Sequence, residues 1–394
     1  MTARPILRLR PNEGRRLAAG SPWVFSNEIA MRPECRAWEP GGVVRLDGEH
    51  GTGLGAFMFN PHSLIAARLL DHDPDATIGG AWMQTRLSDA VALRAKLTDT
   101  PFHRLVHAEA DRLPGLIIDR YDDVFVVQAN SAGMDRLLPE IADALAALLP
   151  VRAVVARNDS SARRQENLPE TVALLRGTDT SAIVQEGAAR FPIDAMSGQK
   201  TGFFFDQRGH RDRVAALADG ARVLDVCCHI GAFGLRCAAA GASHVTLVDS
   251  SALALEHARQ AAELTGVADR VTYRRADAFE ALEALRDGGT RFDIVVCDPP
   301  AFAKSKKDSA AGLRAYGRLA RLAAAVVAPG GFLFTASCSH HAPVADWSAQ
   351  IAWGLHRARR EGQILHSGGA GPDHPVHPHL PESAYLKTQL LRLV

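Results

Sequence analysis

The hydrophobic pattern differs between the two halves of the chain. In the C-terminal half, short apolar runs alternate with segments of helical periodicity. Strands separated by helices of about 10–15 residues indicate right-handed crossovers and a parallel sheet. We therefore predict a doubly wound α/β domain, closed by a helix at 344–360 and an edge strand at 384–394. The preceding runs are RVLDVCC (222–228), HVTLVD (244–249), RVTYRRAD (270–277), FDIVVCD (292–298) and GGFLFTASC (330–338).

The N-terminal half predicts two smaller modules. Strand-like pieces separated by Gly, Pro and Asn within the first 70 residues are typical of a small β-rich barrel. A helix at 79–98, a three-strand meander within 104–130, a helix at 134–149 and a strand at 153–159 then predict a central α+β domain. We place the boundaries at 1–72, 73–189 and 190–394.

Composition narrows the class of protein. With 47% hydrophobic and 23% charged residues, the chain is typical of globular proteins. It has neither an apolar run long enough to span a membrane nor the apolar core of a secretory signal, so we expect a soluble, cytoplasmic protein. The six cysteines form no C-x-x-C pair, and prolines interrupt His374, His377 and His379, so we expect no metal site.

The distribution of charge is more informative than the net charge of +1. Residues 1–70 hold nine arginines, six acids and no lysine, and three of the six lysines are Lys304, Lys306 and Lys307. Basic residues concentrated in one loop favour contact with the phosphates of a nucleic acid. A solvated basic loop is the alternative, and the sequence leaves it open.

Acidic residues and a cysteine close the predicted strands of the α/β domain, at Asp225, Asp249, Asp277, Asp298 and Cys338. Ligands of open α/β sheets bind beyond the carboxyl ends of the strands. The first turn lacks G-x-G-x-x-G and a P-loop sequence, which disfavours a dinucleotide or nucleoside triphosphate. An acid after the second strand suits a ribose diol, and an acid after the third suits an adenine amino group. This pattern points to S-adenosylmethionine.

The same strand ends carry a family resemblance. DVCCHIGAF (225–233), VDS (248–250), DAF (277–279), CDPPAF (297–302) and TASCS (335–339) resemble the ordered motifs of class I S-adenosylmethionine-dependent methyltransferases. Four further segments are similar to the bacterial 23S rRNA cytosine-C5 methyltransferases that have an N-terminal PUA domain. They are SPWVFSNEI (21–29), AEADRLPGLIIDRY (108–121), GQKTGFFFDQR (198–208) and HPHLPESAYLK (377–387).

The resemblance implies a Rossmann-like catalytic domain, a PUA-like RNA-binding domain, 23S rRNA as partner, and specific cofactor contacts. Asp249 would hold the ribose, Asp277 the adenine, and Gly231 would allow close backbone approach. The methionine end would be shaped by Lys200, Asp206, Arg208, Asp225 and the turn at Phe233, and the other implied contacts are Ser250, Ala278 and Asp298. The chain departs from the family at His229-Ile230, where Tyr-Thr is usual, and at Ala301, where Lys is frequent. The oligomeric state stays open, with a homodimer as one option.

The chemistry of cytosine assigns a role to Cys338. C5 of cytosine is a poor nucleophile until a thiolate adds to C6, so a cysteine at a strand end suits C5 methylation. Asp298, which ends the neighbouring strand, could stabilise charge on the ring through cytosine N3 and N4. Cys297 is the competing thiol, but alternation along the strand predicts that it faces the packing.

Two alternatives remain at this stage. One is methylation of a guanine nitrogen, which needs no cysteine, and the other is an RNA-binding protein without activity. His340 and His341, which follow Cys338, are expected to be loop residues more often than catalytic ones.

Overall fold

The computed structural model describes residues 4–197 and 202–394. The chain divides into two compact units, and the boundaries at 72 and 189 stay predictions. One unit consists of Met1–Ala182, Ile193–Phe205 and Pro372–Ser383, and the other of Ile183–Pro192, Asp206–Gly371 and Ala384–Val394.

The first unit begins with a five-stranded sheet of order β1-β3-β4-β5-β2. Alternate side chains such as Leu46, Phe57 and Phe59 are buried in its core. The strand-like pieces expected from the sequence, ILRLR, GGVVRLDG, GLGAFMFN and IAARLL, form β1, β3, β4 and β5. The two-residue β2 is too short to show a strand pattern in the sequence. The strands are β1 Ile6–Arg8, β2 Trp23–Val24, β3 Gly42–Asp47, β4 Gly53–Phe59 and β5 Ala67–Asp71, with helices α1 Arg15–Ala18 and α2 Pro33–Arg36.

A second five-stranded sheet, of order β10-β9-β8-β7-β6, completes most of this unit. The meander β6-β7-β8 is antiparallel, as predicted, and β9 joins it in parallel. The single helix expected at 134–149 is wrong: two helices meet at Leu137, since Pro139 opens the second and lacks an N–H. The elements are α3 Gly80–Leu97, β6 Phe102–His107, β7 Leu116–Tyr121, β8 Val124–Ala129, α4 Ala132–Arg136, α5 Leu138–Leu148, β9 Ala153–Asn158 and β10 Thr171–Gly177.

A two-stranded sheet of β11 Ser181–Glu186 and β12 Ala189–Asp194 follows. Neither of these strands, nor β10, was among the elements predicted from the sequence. Almost all side chains of β10 are exposed, so its sequence lacks the alternation on which a strand prediction depends.

The second unit contains a seven-stranded sheet of order β15-β14-β13-β16-β17-β19-β18. Its first five strands are parallel, which confirms the predicted doubly wound sheet. The strand order reverses between β13 and β16, and this is where open α/β sheets bind ligands. The strands are β13 Arg222–Val226, β14 His244–Asp249, β15 Val271–Arg275, β16 Phe292–Cys297, β17 Val327–Ser337, β18 Gly362–Gly368 and β19 Lys387–Leu393.

Helices cover the sheet and are delimited by local signals in the sequence. The Ser251 hydroxyl accepts a hydrogen bond from Ala254 N at the start of α8, and Gly266 ends this helix with φ of 78°. The helices are α6 Arg208–Ala215, α7 Ala232–Ala239, α8 Ala252–Thr265, α9 Ala278–Asp287, α10 Ser309–Val326 and α11 Val344–Arg357. Within the described residues, every helix is too short or too polar to traverse a lipid bilayer.

The prediction that the closing segment forms an edge strand is wrong. β19 lies between β17 and β18 and pairs antiparallel with both, so β18 is the edge. The side chains of β18 are mostly exposed, which left no hydrophobic pattern in its sequence. As a consequence, the first residue of β19 lies beside the last residues of β17.

Candidate active site

The turn after β13 has an unusual backbone. Cys227, His229 and Gly231 have φ values of 60°, 51° and 76°. Left-handed conformations at two non-glycine residues store strain, and such strain concentrates at functional sites. At Gly231 a Cβ would lie 2.8 Å from Leu247 Cδ1, so only glycine fits both the space and the dihedral angle.

Two acids hold this turn in place. Asp225 is buried within β13 and accepts a hydrogen bond from Gly234 N at 2.8 Å. Asp249, which ends β14, accepts from His229 N and Ser251 N, each at 2.8 Å and each on a different carboxylate oxygen. Each oxygen of Asp249 has a second lone pair, so the half-buried carboxylate can still accept hydrogen bonds from two hydroxyls.

Asp277 is the N-cap residue of α9. Its Oδ1 accepts from Phe279 N at 2.8 Å and from Glu280 N at 3.3 Å. The side chain is exposed, and its Oδ2 has no hydrogen-bond partner among the described residues. Of the neighbouring predicted contacts, Ser250 is exposed and Ala278 half-buried.

Residues 206–208 precede β13 in the sequence, and the structure links them to the strand ends. Gln207 Nε2 donates to Asp298 Oδ2 at 3.0 Å, and the Tyr385 hydroxyl donates to Asp206 Oδ2 at 2.6 Å. Arg208 Nε lies 3.4 Å from Glu186 Oε1. The predicted residue Lys200 lies outside the described residues.

Two buried oxygen atoms of this segment have no hydrogen-bond partner within the described chain: Asp206 Oδ1 and Gln207 Oε1. A buried acceptor without a donor is costly, because burial removes the water that would otherwise satisfy it. Both atoms are therefore ready to accept hydrogen bonds from a ligand ammonium group.

Buried charges of opposite sign lie next to this segment. Glu186 and the buried Arg211 form two hydrogen bonds, at 2.6 and 2.7 Å. Burial alone would raise the pKa of Glu186, but Arg211 and Arg208 outweigh it and hold this pKa below its usual range. Among the described residues, Asp225 forms no ion pair with an arginine or a lysine; burial, with added repulsion from Asp298 and Asp249, raises its pKa to about 8.

Cys338 directly follows β17 and is half-buried. The next residue ties its loop to the loop after Asp298, since Ser339 Oγ accepts from Ala303 N at 3.1 Å. The hydroxyls of Ser339 and Tyr316 are also 2.8 Å apart. The structure thus links the two loops that carry Asp298 and Cys338.

The other cysteines of this unit are less suited to react. Cys297 is 1% exposed within the hydrophobic core, as strand alternation predicts, and burial raises its pKa well above the usual value. Burial likewise raises the pKa of Cys227 to about 12, and that of Cys228 well above its ordinary value. Cys237 is also buried.

Other predicted residues have clear positions. Phe233 is buried, and its ring lies 4.9 Å from the ring of Phe334 on β17, so it packs the turn after β13 against the sheet. Lys304, Lys306 and Lys307 are exposed between β16 and α10, and the described residues supply no ion-pair partner for them.

Comparison with known proteins agrees with this geometry. Residues 163–392 match a family model described as S-adenosylmethionine-dependent methyltransferase, and residues 7–72 match a PUA-like domain. The chain belongs to the S-adenosylmethionine-dependent methyltransferases. Its cofactor is therefore S-adenosylmethionine, and the two matched regions confirm the predicted PUA-like and Rossmann-like architecture.

Relatives and solved structures match almost the whole chain. Proteins named ribosomal RNA large subunit methyltransferase I are 34% identical in Shewanella denitrificans, over 98% of this chain and 99% of the relative, and 35% identical in Aliivibrio fischeri, over 95% of both. The crystal structure of the methyltransferase SMU.776 with SAH has a TM-score of 0.83 at 19% identity, covering 98% of this chain and 100% of that one. A methyltransferase from Streptococcus mutans has a TM-score of 0.81 at 18% identity, with the same coverage.

The described residues fit this cofactor. The Asp249 carboxylate suits a ribose diol, and the unpartnered Asp206 Oδ1 and Gln207 Oε1 suit the ammonium of the methionine portion. Of these residues, Asp206 was predicted from the sequence, whereas Gln207, Tyr385 and Tyr316 were not. Gln207 and Tyr385 do lie inside the FFFDQR and HPHLPESAYLK segments, so the family resemblance held a signal for both, whereas the contacts of Tyr316 depend on tertiary structure.

Proposed function

We propose that the chain methylates C5 of a cytosine in large-subunit ribosomal RNA, with Cys338 as covalent nucleophile. The substrate class rests on the names of the relatives that match the chain over nearly its full length. The assignment of cytosine C5 and of the covalent mechanism rests on one observation. The half-buried thiol of Cys338 lies at the carboxyl end of a parallel strand, on a loop that is hydrogen-bonded to the loop of Asp298.

The thiol supplies what the target carbon lacks. The Cys338 thiolate adds to C6 of cytosine, which forms an S–C6 bond and shifts the C5–C6 π electrons so that C5 becomes nucleophilic. Bound S-adenosylmethionine supplies an electrophilic methyl group to C5. A base then removes the C5 proton, the C5–C6 double bond re-forms, and the S–C6 bond breaks to return the thiolate.

Asp298 orients and polarises the base in this proposal. The Gln207 amide fixes one carboxylate oxygen of Asp298, and the two following prolines restrict the backbone. A fixed acidic group beside cytosine N3 and N4 can stabilise the charge that develops on the ring. Six of the cofactor contacts proposed from the sequence lie at the ends of β13 to β15 or in the turns that follow these strands: Asp225, Gly231, Asp249, Ser250, Asp277 and Ala278.

RNA would be bound by surfaces outside the catalytic turn. The exposed lysines Lys304, Lys306 and Lys307 follow the Asp298 loop and are suited to phosphate contacts. The PUA-like domain, with its excess of arginines over acids, would add affinity without taking part in the chemistry.

Trapping on fluorinated RNA tests the covalent step. A rRNA fragment transcribed with 5-fluorocytidine stops the reaction after methyl transfer, because fluorine cannot leave as a proton does. We expect the wild type to form a denaturant-resistant complex that requires S-adenosylmethionine. Cys338→Ala should form no complex and lose methyl transfer while its cofactor affinity, measured by calorimetry, stays the same.

The matched control is Cys297→Ala, which should still be trapped and retain activity. Trapping through Cys297, or robust cytosine methylation by Cys338→Ala, would contradict the assignment. Nucleoside mass spectrometry of the product identifies the atom, since methylguanine would favour the alternative reaction and the absence of any methylated nucleoside would favour a binding protein.

A further inference from the structure

Lys387 is a buried lysine beside the proposed nucleophile. It opens β19, and the antiparallel register places it opposite Ser337, the last residue of β17. Only 5% of Lys387 is exposed. Because Cys338 follows Ser337 directly, the lysine lies at the point where the strand ends and the nucleophile loop begins.

Two hydrogen bonds hold the ammonium group against this loop. Lys387 Nζ donates to the carbonyl oxygen of Ser339 at 2.7 Å and to that of Tyr385 at 3.0 Å. Both acceptors are neutral, and an ammonium group has three hydrogens to donate. Within the described part of the chain, Lys387 forms no ion pair with a carboxylate.

Cys338 is the titratable group whose charge acts on Lys387. Burial lowers the pKa of Lys387, and the negative charge of Cys338 acts in the opposite direction. Interaction between two charges is mutual, so the ammonium favours the thiolate form of Cys338 to the same degree. This interaction is little screened, since the lysine is shielded from solvent.

Two other groups near Cys338, both among the described residues, supply no comparable buried cation. The hydroxyl of Tyr316 on α10 lies 2.8 Å from Ser339 Oγ. Burial raises the pKa of this phenol, the charge of Cys338 acts in the same direction, and the phenol stays neutral at physiological pH. His340 follows in the same loop and is exposed, with its ring 6.0 Å from that of Tyr385. Solvent screens a charge at that position far more than one at Lys387.

We propose that Lys387 is a positioning residue for the nucleophile: its buried ammonium group keeps Cys338 as a thiolate and fixes the loop through Ser339. This inference rests on the proposed function, in which Cys338 attacks C6. The thiol proton passes to solvent before the attack, and the ammonium keeps its three protons throughout, so no further reactant is needed.

The pH dependence of Cys338 alkylation tests the inference directly. Full-length protein is treated with iodoacetamide between about pH 6 and pH 10, and the rate at Cys338 is read by peptide mass spectrometry. In Lys387→Met the midpoint should move up by about one pH unit, which is a tenfold loss of thiolate at neutral pH. Lys387→Arg retains the charge, so its midpoint should lie close to that of the wild type.

The matched control is Lys96→Met, which removes an exposed lysine of α3 and should leave the midpoint unchanged. An unshifted midpoint in folded Lys387→Met, with folding confirmed by cofactor binding, would overturn the inference. If that variant does not fold, the wild type decides, because a midpoint at or above the ordinary thiol value of about 8.5 also overturns it.

The result is separable from that of the trapping experiment. A shifted midpoint together with failed trapping would leave the charge pair in place and reject the proposed function. Successful trapping through Cys338 with an unshifted midpoint would keep the function and reject the role of Lys387.

Discussion

Asp225 and Asp249 lie on neighbouring strands and support the same turn, but their surroundings differ. Asp249 is half-buried and accepts two backbone hydrogen bonds, one on each carboxylate oxygen. Asp225 is fully enclosed, accepts one, and lies near two other acids. Asp249 is therefore suited to bind a polar ligand. Asp225 supports the turn from inside and has a raised pKa.

Asp249→Ala should weaken cofactor binding. Loss of a charge-assisted pair of hydrogen bonds costs roughly 1.5–3 kcal/mol, or about ten- to hundredfold in affinity. Calorimetric titration measures this change, and Asp269→Ala, which removes an exposed acid between α8 and β15, is the matched control. An unchanged Kd for Asp249→Ala would remove the ribose assignment. Melting of the free protein shows whether loss of the backbone contacts alone accounts for the effect.

The raised pKa of Asp225 makes folding stability depend on pH. The pKa is about 8 in the folded protein against an ordinary 3.8, so the folded state binds this proton more tightly than the unfolded state does. The free energy of unfolding contributed by Asp225 is present below about pH 4 and is lost as the pH rises toward 8.

Asp225→Asn isolates this contribution, because asparagine still offers an oxygen to Gly234 N but does not titrate. Denaturant unfolding of both proteins should show the wild type losing stability relative to the variant between pH 4 and 8, by a few kcal/mol at most. A difference that stays constant over this range would show that Asp225 titrates as an ordinary acid.

At the scale of elements, the sequence predicted what a buried pattern specifies. Buried apolar residues mark the parallel strands β13, β14, β16 and β17, and α8 has both a serine N-cap and a glycine C-cap, so all were identified. β10 and β18 could not be, because their side chains are mostly exposed and leave no buried pattern in the sequence. The same limit applies to the candidate site. Its acids and Cys338 could be predicted because they lie at strand ends. The position of Lys387 beside Ser337 could not, because it depends on the place of β19 in the sheet, which was predicted incorrectly.

At the scale of the whole molecule, the PUA-like domain is assigned a share of the RNA affinity and no part in the chemistry. The PUA-like domain cannot be removed cleanly, because Met58 and Leu70 belong to the same hydrophobic core as Leu116 and Ile118 of the second sheet. Deletion would expose this core. Substitution of surface arginines is therefore the sharper test of its role.

Arg8, Arg15 and Arg36 are exposed and form no ion pair within the described residues, so their triple change to Gln should leave the fold intact. We expect weaker binding to a rRNA fragment and a shallower salt dependence, with the slope of log K against log salt falling by roughly 0.7–0.9 per lost phosphate contact. Cofactor affinity should not change, since the triple variant leaves the turn after β13 untouched. The control triple Arg112→Gln, Arg176→Gln and Arg359→Gln removes the same charge outside the PUA-like domain. Equal RNA affinity and equal slopes for the two triple variants would contradict an RNA-binding role specific to this domain.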